Sequence, residues 1–215
     1  MTEITLAAGD LSKALYNALS FTDKDDDFKE IRIRIGSELE VTGASRMSIG
    51  RDIRPATGHQ DGTAEVFVST VGPTYHSPAE DFHKAVDKIK GDVCLMLVDG
   101  SLMIRDTEVS VSTVGPDTPL WGMVDELLKP TAPIELPPTF CFKPERFGVF
   151  SRIKVKAGSI ADCYLRSQYG MHFKIGETFQ CMIAHMDREI AMKHFAEKKD
   201  ADVRKLFWTE EDFAA

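Results

Sequence analysis

Between Thr63 and Gly115 the hydrophobic period changes twice, and few architectures accept that order. TAEVFVST alternates at a spacing of two, with Val66 and Val68 against Glu65, Phe67 and Ser69. SPAEDFHKAVDKIKG then places Phe82, Val86 and Ile89 at the three-to-four spacing of a helix with one buried face, and DVCLMLVD, GSLMIRD and TEVSVSTV return to alternation. Asp99-Gly100 is a hairpin signal, because a tight two-residue turn needs positive φ. Ser77 before Pro78, Glu80 and Asp81 in the first turn, and Lys88 and Lys90 ahead of Gly91 mark both helix ends. The segment reads strand, helix, strand, strand, strand: a βαβββ unit.

The preceding residues repeat the order. Thr2 to Leu6 alternate; a helix opens at Gly9-Asp10 with Leu11, Leu15, Ala18 and Leu19 inward and Lys13 and Asn17 on the other side. FKEIRIRIG sets Ile31, Ile33 and Ile35 against Glu30, Arg32 and Arg34; SELEVTGAS and RMSIGRDIRPA follow as strands. Two units make a first domain over residues 1–115, with both helices on one side of packed sheets. Residues 116–138, rich in proline, read as an extended linker with one helical turn at WGMVDELL. Residues 139–187 hold a third unit: the strand TFCFK, a helix PERFGVFSRIKVK with Phe147, Phe150 and Ile153 inward, and the strands ADCYLRSQ, YGMHFKIG and ETFQCMIAHMD. A fourth unit is missing, and residues 188–215 form a charged, helix-prone tail. The fold class is α+β.

The chain has 215 residues, 43% hydrophobic and 28% charged, enough for a sizeable core. It contains no apolar run near the roughly 20 residues that cross a bilayer. Met1 leads directly into Thr2-Glu3-Ile4, so the expected location is the cytoplasm. Cys94, Cys141, Cys163 and Cys181 fall singly within expected strands, as reduced core thiols do. A net charge of −8 argues against a simple basic nucleic-acid binder, yet acid gathers at Asp23, Asp25 to Asp27 and Glu210 to Asp212 while lysine and arginine recur on the expected helices. No GxxxxGK[ST], GxSxG, HExxH or GxGxxG string is present, which removes the enzyme classes that need those local geometries. His172, His185 and Asp187 could share a metal across strands, against the plainer reading of strand-edge or surface residues. His76, His83 and His194 read as isolated surface histidines, and no cofactor is implied.

The element order and four strings, LEVTGASRMSIGR, STVGPDTPLWGMVDELL, FCFKPERFGVFSRI and ETFQCMIAHMD, resemble the sliding clamps of DNA replication, in particular the DNA polymerase III beta-subunit type of bacteria and their phages. The chain departs from that pattern at Gly43 or Ala44, where an acid is usual, and at Ala184-His185, where a proline is usual. The resemblance implies a DNA-clamp fold of repeated βαβββ units that closes into a homo-oligomeric ring, helices inward and antiparallel sheets outward. It implies a non-catalytic processivity factor, here phage-encoded, whose partners are duplex DNA without sequence preference, a DNA polymerase, a clamp loader and further copies of itself. Lys13, Lys84, Lys88, Lys90, Arg146, Arg152, Lys154 and Lys156 are then the phosphate contacts, with Lys84 and Lys88 four apart on one helix face. The competing reading is of ordinary solvated faces. The family's partner pocket maps onto Leu120, Met182 and Ile183. In the tail, Leu206, Phe207 and Trp208 resemble the apolar anchors of clamp-binding peptides, suited to a neighbouring clamp or this chain's own pocket; the alternative is packing on their own domain. A second function class also fits: a clamp-fold adaptor that does not encircle DNA and binds a replication or transcription protein through the tail.

Overall fold

The computed structural model describes residues 2–23, 27–58, 63–72, 77–129, 144–167, 170–185 and 188–199. The first unit is β1 (Thr2–Ala7), α1 (Ala8–Leu19), β2 (Glu30–Ile35), β3 (Glu38–Ser45) and β4 (Ser48–Pro55). The second is β5 (Ala64–Ser69), α2 (Pro78–Val86), β6 (Asp92–Val98), β7 (Ser101–Ile104) and β8 (Ser110–Ser112). Each unit gives its first strand to the other: β1 pairs antiparallel with β6, from Thr2 opposite Leu97 to Ala7 opposite Asp92, and β5 pairs with β2. The two sheets and the helices α1 and α2 enclose one core containing Leu11, Leu15, Phe82, Val86, Ile33, Val41, Leu95 and Leu102. Burying side chains of this size stabilises the fold by about 1.5–3 kcal/mol each.

Local chemistry explains the ends of these elements. Ser77 Oγ accepts from the Glu80 amide while Glu80 Oε2 accepts from the Ser77 amide, a reciprocal cap over Pro78. Asp99 and Gly100 both have positive φ, 48° and 73°, as the β6–β7 hairpin requires. The α2 helix stops at Val86, so Lys88 and Lys90 lie beyond it and do not share a helical face with Lys84.

Past β8 comes α3 (Trp121–Leu128), a packed two-turn helix where the sequence suggested a single turn in an extended linker. Trp121, Val124 and Leu128 are buried against Phe28, Ala44, Ile49 and Phe67 on the sheet face opposite α1 and α2. A helix therefore also covers the outer side, and Phe67 is buried where alternation placed it among polar neighbours. The strand TFCFK lies outside the described residues. Residues Pro144–Ser151 form a 3₁₀ helix, tighter than the α-helix expected, with Gly148 lowering helical propensity at its centre. Phe147, Phe150 and Ile153 do face inward, onto Phe173, Ile175, Phe179 and Ile183. The remaining strands are β9 (Ala161–Ser167), β10 (Gly170–Ile175) and β11 (Phe179–Ala184), followed by α4 (Arg188–Lys199).

The third unit joins the first through backbone. β11 pairs antiparallel with β4, from Phe179 opposite Asp52 to Ile183 opposite Ser48, giving a seven-stranded sheet β5-β2-β3-β4-β11-β10-β9 beside the four-stranded sheet β1-β6-β7-β8. Near the turn end of the β3–β4 pair Gly43 faces Gly50. A Cβ on Gly43 would stand 1.9 Å from the Ala18 carbonyl oxygen, and one on Gly50 would stand 2.4 Å from the Phe21 ring. The end of α1 thus rests directly on bare strand backbone, which accounts for glycine where the resemblance expects an acid. Gly43→Ala is expected to lower stability by about 2 kcal/mol or more, because backbone and not a flexible side chain must move; a thermal melt read by circular dichroism measures it.

Candidate functional site

Three features that could contact a partner are built around the seam between the units. The first is a basic helical face centred on α1. Tyr16 meets His83 of α2 at 5.6 Å on one side, and on the other the Lys154 ammonium sits 4.2 Å over its ring. Asn17, expected on the solvent side, is fully buried: its Oδ1 accepts from the Lys154 amide at 2.6 Å, and its Nδ2 donates to the Lys154 carbonyl at 3.1 Å and to Asp52 at 2.6 Å. That side chain copies one rung of a sheet ladder and holds residues 152–156 against α1. Lys13, Lys84 and Lys154 thereby come onto neighbouring, exposed elements, with Lys88, Lys90 and Lys156 exposed at the margins. Asp10 lies 3.9 Å from Lys13.

Between the helices, Ser12 donates to Asp87 at 2.6 Å and accepts from His83 Nε2 at 3.3 Å. The Ser12 bond and the nearby imidazole hold the Asp87 carboxyl below its usual range. His83, half-buried and not the isolated surface residue expected, is held below its usual value chiefly by desolvation, with Lys154 and Lys84 adding to the effect against Asp87.

The second feature is an apolar groove of about 190 Å³. Leu120, Met123, Val124 and Leu127 of and beside α3 form one wall; Phe28, Ile49 and Met182 form the rest, with Ser45, Arg46 and Ser48 at its margin. Leu120 and Met182 meet here as the sequence suggested. Ile183 does not, since strand alternation turns it to the opposite face, where it is buried among Phe21, Val149 and Phe173. Met123 is 55% exposed, large for an apolar side chain.

The groove depends on how α3 is anchored. Asp125 receives both terminal nitrogens of the almost wholly buried Arg32, at 2.6 and 3.2 Å, and Arg34 Nη2 at 2.6 Å. Arg51 lies 3.7 Å from the same carboxylate and 2.9 Å from Glu40. Trp121 Nε1 donates to the buried Glu30 at 2.6 Å, and the Arg32 guanidinium lies 5.2 Å over the Trp121 ring. At the far end of α3, His172 Nε2 donates to the Leu127 carbonyl at 2.5 Å while Nδ1 accepts from Tyr164 at 3.1 Å. His172 is buried and pins the helix to β10, so it is not a surface residue; among the described residues no group of His, Cys, Asp or Glu could hold a metal. Cys181 is buried, Cys94 partly so, and Cys163 is exposed, against the expectation of core thiols throughout.

The third feature is a polar pocket of about 280 Å³ that sequence reasoning missed. Arg146, Val149 and Arg152 line it with Ser20, Phe21, Thr22, Asp23, Ser45 and Ser48. Arg146 and Arg152, grouped with the lysines in the sequence reading, both line this pocket. Tail residues Leu206, Phe207 and Trp208 lie outside the described residues.

This architecture of cross-donated βαβββ units, paired helices and a sheet continued from one unit to the next is the sliding-clamp fold. It is shared with bacterial DNA polymerase III beta subunits. The chain superposes on the beta subunit of Streptococcus pyogenes DNA polymerase with a TM-score of 0.59 at 8% identity, covering 97% of this chain and 68% of that one. For the Bacillus subtilis sliding clamp the values are 0.60, 10%, 97% and 68%, and for the H. pylori beta clamp 0.56, 12%, 97% and 67%. The chain thus spans about two thirds of the length of these proteins. No protein-family model and no curated protein sequence matches it.

Burial opposes ionisation of Asp125, but the bonds from Arg34 and Arg32 outweigh it and hold its carboxyl below the ordinary 3.8. Its stabilising contribution is therefore complete above pH 3.8 and is lost as pH falls through the lower folded-state value. Asp125→Asn should lower the melting temperature and red-shift Trp121 emission at neutral pH. The gap to the unsubstituted chain should close once acid has protonated Asp125 in both states. Asn17→Ala strands the Lys154 amide and carbonyl and should cost about 2–4 kcal/mol in urea unfolding.

Proposed function

We propose that this chain is a DNA sliding clamp, a processivity factor that assembles from several copies into a ring around duplex DNA and tethers a polymerase without catalysing a reaction. The observation that supports the reading most directly is the convergence of α1, α2 and residues 152–156 around Tyr16, which puts Lys13, Lys84 and Lys154 on one side of a clamp-fold sheet. Cations so spaced meet phosphates without reading bases, and contact of that kind permits sliding. Lys88, Lys90 and Lys156 extend the track.

Ring closure has a template inside the chain. The β4–β11 seam joins two sheets edge to edge, and β8 and β9 end the two sheets without a further strand partner among the described residues. Pairing of such edges between copies would repeat the internal seam. The groove walled by α3 is the site for replication partners, a DNA polymerase and a clamp loader, with Leu120, Met123 and Met182 as its accessible apolar contacts. The setting is the cytoplasm of a bacterial host, with a phage as the source the resemblance implies. No described helix is long and apolar enough to cross a membrane.

Light scattering at rising concentration should show a closed oligomer, and the chain should remain on nicked circular DNA but slide off after linearisation. Lys84→Glu with Lys154→Glu should reduce retention about tenfold at low salt and flatten the salt dependence. A monomer at every concentration with no topological retention would remove the ring and leave the adaptor reading, under which altering the tail, and not the lysines, abolishes partner capture.

A further inference from the structure

The polar pocket beside the groove carries an assignment of its own. Arg146 and Val149 are one three-residue turn apart on the 3₁₀ helix, and the turn that ends it, closed by the Arg152 amide on the Val149 carbonyl at 2.9 Å, brings Arg152 to the same pocket. Neither guanidinium has a side-chain hydrogen-bond or ion-pair partner among the described residues, and Arg146 Nε is shut off from solvent. Hydroxyls of Ser20, Thr22, Ser45 and Ser48 share the pocket, with Asp23 a carboxylate among the lining residues. Ser20 and Thr22 donate their hydroxyl protons to the Tyr16 and Leu19 carbonyls, so the donors left for an anion are the two arginines. Ser45 and Ser48, which bond each other across their turn at 3.0 Å, line the apolar groove as well, so the groove and the anion pocket lie on two sides of one hairpin turn.

We infer that the two cavities together hold the chain's own segment Leu206–Asp212, with Leu206, Phe207 and Trp208 in the groove and the carboxylates of Glu210, Glu211 and Asp212 at Arg146 and Arg152. The order of the segment, apolar residues and then acid, matches the order of the cavities across the turn. Its reach also fits. The groove is floored by Met182 of β11, α4 leaves from just beyond that strand, and its 12 residues span about 18 Å. The six residues between Lys199 and Leu206 extend up to about 20 Å, enough to return. The contact is self-occupancy of the partner groove, which an incoming protein must displace. It rests on the groove being the docking site, not on ring formation.

The test uses the full chain without DNA, with a photo-crosslinking p-benzoylphenylalanine in place of Trp208. Expected are crosslinks within one chain to residues 120–127 and 45–49. Their yield should fall about tenfold in Arg146→Gln with Arg152→Gln, or in Glu210→Gln, Glu211→Gln with Asp212→Asn. Combining both sets should add little, and lysine at 146 and 152 should restore most of the yield. The tail set leaves the pocket untouched and so answers even if the arginine set fails to fold. Crosslinks elsewhere, crosslinks only between chains, or yields indifferent to either charge set would overturn the inference. So would loss of DNA retention in the arginine set with crosslinks unchanged, which would assign the pocket to phosphate. Oligomer size and topological retention, read separately, report on the clamp function alone.

Discussion

One carboxylate decides where α3 lies, and α3 decides much else. Asp125 gathers Arg32, Arg34 and Arg51 from three strand positions on one sheet face. Unpaired, the buried Arg32 would cost far more than the pair contributes net, so the geometry tolerates little loosening. With the helix fixed, Trp121 closes over Phe28 and Phe67, at 5.1 and 5.5 Å between ring centroids, and the opposite side of the helix becomes the wall of the groove. An ionic anchor on one flank and an apolar wall on the other make α3 a splice between the first pair of units, through the arginines, and the third unit, through His172.

The helical face follows the same logic by different chemistry. There the coupling runs through a neutral amide, Asn17, whose two ends match the donor and acceptor of one peptide. A charged peg would have carried a larger desolvation cost in the same buried position. The sheet seam, α3 and Asn17 connect the described part of the third unit to the first two at the edge, outer face and helical face.

How much of this the sequence disclosed depended on whether the cause was local. Alternation in EIRIRI, the Asp99-Gly100 turn and the Ser77-Pro78 start each act within a few residues, and the elements they specify are present. The features that were hidden are non-local. Trp121, Val124 and Leu128 have helical spacing, but the surrounding prolines favoured an extended reading, and nothing nearby shows that Asp125 has Arg32 to bind. Asn17 sits on the polar side of its helix until residues far along the chain arrive to bury it. Met182 and Ile183 are adjacent, and only the strand register says which one reaches the groove. The arginine pocket was hidden because Arg146 lies on a 3₁₀ helix and Arg152 just past its end, while periodicity alone suggested an α-helix through both.

The seam between β4 and β11 also has a temporal side. Its partners are about 130 residues apart in the chain, so during synthesis β4 emerges long before the strand that will cover it. Throughout that interval the nascent protein presents a strand of eight residues with one flank of amides and carbonyls open, the kind of surface on which misassembly begins. Gly50 and Asp52 on that strand are poor aggregation formers, and Arg51 and Arg54 add charge to it. β11, which leaves the ribosome after every other described strand, therefore completes the sheet and also retires its most exposed liability.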